Sequence, residues 1–218
     1  MKLWGCGLCV TLIALGLVLG TRAAAQQGQA TCTGWTGTGD IDGGATVNHT
    51  CSGDIHVQGK IDGASNVTLT STNGSITIDG KIDGGSIARL NAAGDIRIGV
   101  VGGDGDKKID GGSNVTAVSG GTITLGNKID GCATGFGVGG CTYVAFRAAN
   151  GIDIGNKIDG GVHVSLCTTN GNIHIHDKID NSQTWVYYWV PSGQLNVDGN
   201  QQGGSHVISD QQHACTGY

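Results

Sequence analysis

The sequence has 218 residues with 42 Gly and 1 Pro, 13% charged and 5% aromatic residues, and a formal net charge of −5. Gly costs roughly 1 kcal/mol per helical position relative to Ala, and the abundant Thr, Asn, Val and Ile also rank low, so the composition argues against a helical protein and favours strands and turns. All 17 acidic residues are Asp.

The first 25 residues have the three regions of a secretory signal peptide: Lys2, an apolar run over 8–19 and the Ala-Ala-Ala site at 23–25. An uncleaved anchor is the alternative, but the run is shorter than the ~20 residues that span a bilayer. Cleavage leaves 10 basic against 17 acidic residues, a net charge of −7, which argues against nucleic acid as a partner. We therefore expect a secreted protein (extracellular, cell-surface or periplasmic) without a membrane span, in which residues 26–39 form an N-terminal cap.

An even number of cysteines remains after cleavage, as expected in an oxidising compartment: Cys32, Cys51, Cys132, Cys141, Cys167 and Cys215. Six cysteines allow fifteen pairings. We favour a Cys132–Cys141 disulfide, which would close the short loop "ATGFGVGG" and contribute about 2.5 to 3 kcal/mol. Metal binding is the alternative, but no Cys-x-x-Cys pair is present and the spacings match no zinc site.

A Lys-Ile-Asp or Ile-Asp-Gly tag recurs along the chain, with its Ile at positions 41, 61, 82, 109, 129, 158 and 179. The base spacing of 20 to 21 residues, with two longer members of 27 and 29, is typical of a repeat array. The longer repeats contain "VGGDGD" at 101–106 and the cysteine-bracketed loop. We interpret residues 196–209 as a degenerate eighth unit with Val197 in the position of the tag Ile.

Within the unit 61–81, apolar residues alternate with polar ones in two runs, which predicts two short strands, and the tag is predicted to form a third. Asn-Gly, Asp-Gly and Gly-Gly pairs between the runs predict turns with positive φ. Units stacked at about 4.8 Å would share one core. The predicted fold is all-β: a parallel β-solenoid of about eight rungs, each of 20–21 residues, over 40–199, with a C-terminal cap or tail at 200–218. An antiparallel barrel or sandwich is the alternative.

Counting from the Asn-Gly turns predicts three inward columns of apolar side chains. These are Val67, Val144, Val164 and Val186; then Leu69, Phe146, Leu166 and Tyr188; and finally Ile76, Ile96, Ile123, Ile152 and Ile173.

With the tag Ile inward, stacking predicts a Lys column beside an Asp column on the outside. Like charges 4.8 Å apart repel by roughly 0.9 kcal/mol even in bulk water, so each column needs the other. Asp oxygens also cap N–H groups of the following turn. The predicted structural ladder comprises Lys60, Asp62, Lys81, Asp83, Lys108, Asp110, Lys128, Asp130, Lys157, Asp159, Lys178 and Asp180.

A cation site is the functional alternative for the Asp column, because Asp oxygens beside Gly-rich turns can bind Ca²⁺. The neighbouring Lys already supplies the counter-charge. Asp104 and Asp106 in "GGDGD" are the better local candidates, although a solvated acidic loop is the simpler interpretation. We expect no cofactor, with Ca²⁺ as the remaining option.

The outward residues of the second strand are predicted to be His56, Thr77, Arg97, Thr124, Asp153 and His174. This column lacks a convergent acid and base, so we expect a protein that is not an enzyme. We favour a surface ion pair between Asp153 and His174 over an acid–base pair. His163, His174 and His176 with Asp177 form the one concentration of histidines, for which adventitious transition-metal binding is conceivable.

The stretch "QTWVYYWVPSG" predicts a row of outward aromatic residues, Trp185, Tyr187 and Trp189, roughly 7 Å apart. Such an aromatic row suits sugar rings or another protein. The alternative, which we favour, is that the tail containing Cys215 folds over the row and caps the stack.

The tandem Gly-[Lys/Asn]-Lys-Ile-Asp-Gly-Gly units after a signal peptide resemble bacterial exported β-solenoids of the adhesin-like type and, more distantly, bactofilins, over residues 40–199. The resemblance implies a surface or extracellular scaffold and transfers no catalytic residue. We expect a structural or adhesive protein. A carbohydrate-binding module or degenerate polysaccharide-active β-helix protein is the alternative, with an extracellular glycan or protein as partner; self-association is a third possibility.

Overall fold

A computed structural model describes residues 31–100, 107–131 and 140–216. The predicted signal peptide, the Asp104 and Asp106 loop and Cys132 lie outside these described residues, so those predictions stay predictions.

Almost all regular structure in the described residues is parallel β-sheet. Sheet A comprises β1 Thr31–Cys32, β3 Thr46–Cys51, β5 Asn66–Ser71, β7 Ile87–Ala92, β9 Asn114–Ser119, β11 Tyr143–Ala148, β13 His163–Thr168, β15 Trp185–Trp189 and β17 His206–Ser209. Sheet B comprises β2 Trp35–Gly37, β4 Ile55–Val57, β6 Ile76–Ile78, β8 Ile96–Ile98, β10 Thr122–Leu125, β12 Gly151–Ile154, β14 Ile173–Ile175 and β16 Leu195–Val197. One short helix, α1 Gln211–Thr216, follows. The all-β class is confirmed, and the parallel order agrees with a β-helix.

Each rung contributes one strand to sheet A, the next strand to sheet B and then its tag. The tag isoleucines pair from rung to rung as isolated parallel bridges, from Ile41 to Ile179. The prediction of a third strand is therefore wrong in detail, because each Ile is followed at once by an Asp that enters a turn with positive φ, as at Gly84 and Gly85. The tag has room for a single bridging residue.

The core lies between the two sheets and the tag column. The predicted inward columns are confirmed, since Val144 pairs with Val164 and Ile123 with Ile152 in neighbouring strands. Most of these side chains are fully buried, as are the tag isoleucines from Ile61 to Ile158. Tyr188, at the end of its column, is half-buried and packs against the core.

A column of buried hydroxyl side chains lies just after the tag turns: Ser65, Ser86, Ser113, Thr142, Thr184 and Ser205. Ser65 Oγ donates to the carbonyl of Asp62 at 2.6 Å, and Thr142 Oγ1 donates to the carbonyl of Gly131 at 2.7 Å. Ser86 Oγ and Ser113 Oγ are buried without a hydrogen-bond partner among the described residues, so the members of this column share small size more than a common hydrogen bond.

The two kinds of glycine turn differ. Tag turns have the predicted positive φ, as at Gly84 (64°) and Gly85 (71°). Gly74 and Gly171 of the Asn-Gly bends do not have positive φ, so the prediction is wrong there. A Cβ on Gly171 would overlap the carbonyl oxygen of Asn150 in the preceding rung. Gly is needed at that bend for close approach of two backbones.

The last rung follows a different register from the predicted one. Val197 pairs with Ile175 in sheet B, so it does not take the position of a tag Ile. Gln202 N–H donates to the carbonyl of Ile179, as Asp180 N–H does to Ile158 one rung earlier. Gln201 therefore occupies the tag Ile position, and it is exposed. An exposed polar residue at the end of an apolar column discourages further stacking.

Disulfides connect β1 to β3 through Cys32–Cys51, and β13 to α1 through Cys167–Cys215. Cys141 is also disulfide-bonded, but the predicted partner Cys132 is outside the described residues. These bonds indicate an oxidising compartment. Within the described ranges, no helix is both long and apolar enough to cross a membrane.

Candidate functional site

The charged tag residues form ion pairs within their own rung. In five of these pairs, Nζ of the Lys lies 2.5 to 2.8 Å from Oδ2 of the Asp two residues later. Lys128 and Asp130 form a sixth pair. The five pairs are Lys60–Asp62, Lys81–Asp83, Lys108–Asp110, Lys157–Asp159 and Lys178–Asp180. The two columns thus meet residue by residue along the stack.

The other oxygen of the tag Asp caps the turn. Oδ1 of Asp62 accepts the N–H of Gly63 at 2.6 Å, and Oδ1 of Asp180 accepts the N–H of Asn181 at 2.7 Å. The hydrogen bond from Lys60 holds the pKa of Asp62 below its usual value, and Lys178 has the same effect on Asp180. The pKa of Lys60 is raised in return, chiefly by its hydrogen bond to Asp62. The tag carboxylates are engaged in stabilising their own rung.

The aromatic row lies on the outer face of sheet A, and the C-terminal tail lies beside it. Trp185, Tyr187 and Trp189 are all half-buried. The ring of Tyr187 stacks on His213 of α1 at 5.0 Å between centroids. Trp189 pairs in register with Cys167, which bonds to the helix. The tail covers part of the row.

A second series of rings, missed from the sequence, follows the first outward position of sheet A. Tyr143, His163, Trp185 and His206 are register neighbours in successive rungs. Trp185 stacks on His206 at 3.8 Å, and Tyr143 lies 5.1 Å from His163. Tyr143 is 39% exposed and borders a shallow depression with Asn114 and Thr116 of β9. The signal in the sequence was the shared position of these rings at the start of each strand.

Four titratable side chains meet on the outer face of sheet B, and we call Asp153, His174, His176 and Asp198 the His–Asp cluster. Asp153 lies on β12 and His174 beside it on β14, while His176 and Asp198 follow the ends of β14 and β16. Period two along a strand places His174 and His176 on the same face. Their rings lie 3.8 Å apart.

Each carboxylate of the cluster faces both imidazoles. Oδ1 of Asp153 lies 2.9 Å from Nε2 of His176 and 3.9 Å from Nδ1 of His174. Oδ1 of Asp198 lies 2.8 Å from Nε2 of His174, and its Oδ2 lies 3.4 Å from Nδ1 of His176. The hydrogen bond from His174 is the largest cause of the lowered pKa of Asp198. One donor atom each of Asp153, His174 and His176 lies within 4.8 Å of the others.

Sequence reasoning found part of this cluster. It placed Asp153 beside His174, and the structure adds a contact from His176 to Asp153. His163 is elsewhere, on the outer face of sheet A. The predicted partner Asp177 is not in the three-residue donor set, and Asp198 supplies the second carboxylate.

The opposite end of sheet B contains a simpler version of the same arrangement. Nε2 of His56 lies 2.8 Å from Oδ1 of Asp79, which follows the next strand of the sheet. This is the relation between His174 and Asp198. Thr77 and Gln58 stand where the larger cluster has Asn196 and His176. The His56–Asp79 pair is thus a matched control for the His–Asp cluster.

Comparisons with protein-family models, curated proteins and solved structures find no match. The resemblance to adhesin-like proteins and bactofilins therefore has no support from known relatives.

Proposed function

We propose that the chain is an exported parallel β-solenoid that serves as a non-enzymatic, adhesin-like scaffold outside the cytoplasm. The observation that supports this most is the tag column: each of six successive rungs, from Lys60 to Asp180, has its own Lys–Asp pair at the same position. A stack of this kind would be a rod about 40 Å long on the ~4.8 Å rung spacing.

The charges of the tag favour a structural role. A tag carboxylate such as that of Asp62 accepts one hydrogen bond from the Lys of its own rung and one from a backbone N–H of the following turn. Surface ion pairs contribute at most about 1 kcal/mol each. Because the pair recurs in every one of these rungs, a shift in strand register would disrupt many pairs at once. The faces between tags carry changing residues, which a scaffold can present to partners.

The scaffold proposal is tested by removing one whole repeat, residues 61–81. Repeat arrays tolerate loss of an interior unit because each unit contacts its neighbours alone. We expect a folded variant that is shorter by about 4.8 Å in small-angle scattering. Beads coated with it should still attach to the surfaces that beads coated with the parent bind. Lost attachment with an intact fold would instead indicate a local binding site in that repeat.

Carbohydrate recognition is the second candidate, supported by the ring series from Tyr143 to Trp185. A series of rings across neighbouring strands, with Tyr143 exposed and Trp185 half-buried, suits the apolar faces of sugars. A glycan array compares the parent with Trp185→Ala/Trp189→Ala and with Tyr143→Ala, while Val118→Ala, 38% exposed on the same sheet, is the control. Saturable binding that is lost in the ring variants and retained in the control would favour this candidate. Sedimentation of the parent tests self-association.

A further inference from the structure

We propose that the His–Asp cluster is a binding site for one divalent transition-metal ion, with Asp153 Oδ1, His174 Nδ1 and His176 Nε2 as ligands. The ion would be one of the zinc–copper group, which imidazole and carboxylate ligands suit.

The first argument is a count of hydrogen-bond donors. A neutral imidazole has one N–H and one lone pair. Four imidazole nitrogens of His174 and His176 face carboxylate oxygens, at 2.8 to 3.9 Å. Two neutral rings supply two N–H donors, and the two contacts that are hydrogen bonds, His174 Nε2 to Asp198 and His176 Nε2 to Asp153, can use both. Each ring then keeps one nitrogen with a lone pair that an ion can take. The metal-bound arrangement that we propose directs the N–H of His176 from Nδ1 to Asp198, 3.4 Å away, and leaves its Nε2 lone pair for the ion.

The second argument is the position of Asp198. Metal-binding histidines commonly donate their other ring N–H to a carboxylate, which fixes the ring and its tautomer. Asp198 faces Nε2 of His174 with one oxygen and Nδ1 of His176 with the other. When both N–H groups point to Asp198, the remaining lone pairs of the two rings converge on Oδ1 of Asp153. One carboxylate thereby orients two ligands.

The third argument is size. Ligand atoms about 2.0 to 2.1 Å from a tetrahedral zinc ion lie roughly 3.3 Å from one another. Asp153 Oδ1 lies 2.9 Å from His176 Nε2 and 3.9 Å from His174 Nδ1, so small side-chain rotations reach that geometry. The neighbour of His176 on the β12 side is Gly155, which has no side chain to fill the space. Three protein ligands leave a fourth position for water.

The test uses the purified chain with no polyhistidine sequence added for purification. The chain is titrated with Co²⁺ and followed by visible absorption, with Zn²⁺ as competitor. We expect one equivalent of Co²⁺ per chain, with bands that Zn²⁺ abolishes. His174→Ala/His176→Ala should remove this binding, whereas His56→Ala/Asp79→Asn should leave it unchanged. Asp198→Asn, a change in a positioning residue, should weaken it about 10- to 100-fold. Circular dichroism verifies the fold of each variant.

Three results would overturn the site: no stoichiometric Co²⁺ uptake by the parent, uptake that survives the double histidine variant, or equal loss in the His56→Ala/Asp79→Asn control. The ligand atoms are tested by ¹⁵N chemical shifts of the Zn²⁺-loaded chain. We expect metal on Nδ1 of His174 and Nε2 of His176. Metal on the opposite nitrogens would place the ion at Asp198 and overturn the assignment of Asp153.

Discussion

Two columns of side chains run along the same stack and differ in what they conserve from rung to rung. The tag column repeats Lys, Ile and Asp in six rungs, from Lys60 to Asp180. The outward column of sheet B changes at every rung: Thr36, His56, Thr77, Arg97, Thr124, Asp153, His174 and Asn196. We expect the first column to set register and stability. The second column varies in chemistry from rung to rung, and it contributes Asp153 and His174 to the His–Asp cluster.

The difference should appear most strongly at the centre of the tag column. Ile109 is fully buried and bridges Ile82 and Ile129. We expect Ile109→Ala to lower the free energy of unfolding by about 2 to 5 kcal/mol, because it leaves a cavity between rungs. Val118→Ala, on the exposed side of β9, should change it by less than ~0.5 kcal/mol. Urea unfolding followed by circular dichroism measures both; equal losses would contradict a special role for the tag.

Gly84 and Gly85 are adjacent in one tag turn and both have positive φ, but only Gly84 is crowded by the neighbouring rung. Substituting each in turn therefore distinguishes the cost of backbone strain from the cost of steric overlap. A Cβ on Gly84 would overlap Oδ1 of Asp62, whereas a Cβ on Gly85 has no atom within 4 Å. We expect Gly84→Ala to cost roughly 2 to 3 kcal/mol of unfolding free energy. Gly85→Ala should cost at most about 1 kcal/mol, since Ala64 already adopts φ 59° at the equivalent position. Similar melting temperatures for the two variants would refute the overlap explanation.

Acid should weaken the tag column. Hydrogen bonds from Lys60 and Lys178 lower the pKa values of Asp62 and Asp180 in the folded chain. Their contribution is therefore present above the unfolded pKa of about 3.9 and is lost as the pH falls through the lower folded values. We expect the melting temperature to decrease steeply below about pH 4. Asp62→Asn/Asp180→Asn should flatten that decrease, and an unchanged slope would exclude these carboxylates as its source.

The smallest change in unfolding free energy is expected for a substitution in the outward column of sheet B. Arg97 is 45% exposed and pairs with Asp95 at 2.6 Å. Arg97→Thr introduces the residue that Thr77 and Thr124 already place in the same column. We expect less than ~0.5 kcal/mol of change in unfolding free energy. A loss comparable to that of Ile109→Ala would show that both columns stabilise the stack.

The core was predictable because its signals are local and repeated. Alternation around Val144 and Ile152 needs nothing beyond period two, and the spacing of the tag sets the rung. The buried hydroxyls, such as Ser65, were missed because a Ser beside glycines is also typical of an exposed turn.

The His–Asp cluster was only partly predictable because one register error propagated. With Val197 assigned to the tag position, Asp198 is predicted to lie in the tag turn. In the structure Val197 is in sheet B, and Asp198 therefore lies beside His176. The actual occupant of the tag position, Gln201, is polar and gives no apolar signal. The sequence predicted a tail over the aromatic row, but it could not identify the Cys167–Cys215 bond that joins α1 to β13, because that pairing is one of many that the cysteine spacings allow.

Two of the disulfides lie near the two ends of the described stack, and they bear on the protein's resistance to proteolysis. An array whose units contact only their neighbours opens like a zipper, starting from terminal units. Cys32–Cys51 joins the first two strands of sheet A among the described residues, and Cys167–Cys215 anchors the terminal helix. The segments most prone to fraying are thus covalently bonded to a neighbouring strand. Where the disulfides stay oxidised, we expect the terminal segments to resist proteolysis. In a reducing environment, we expect digestion to begin at these segments and to proceed inward.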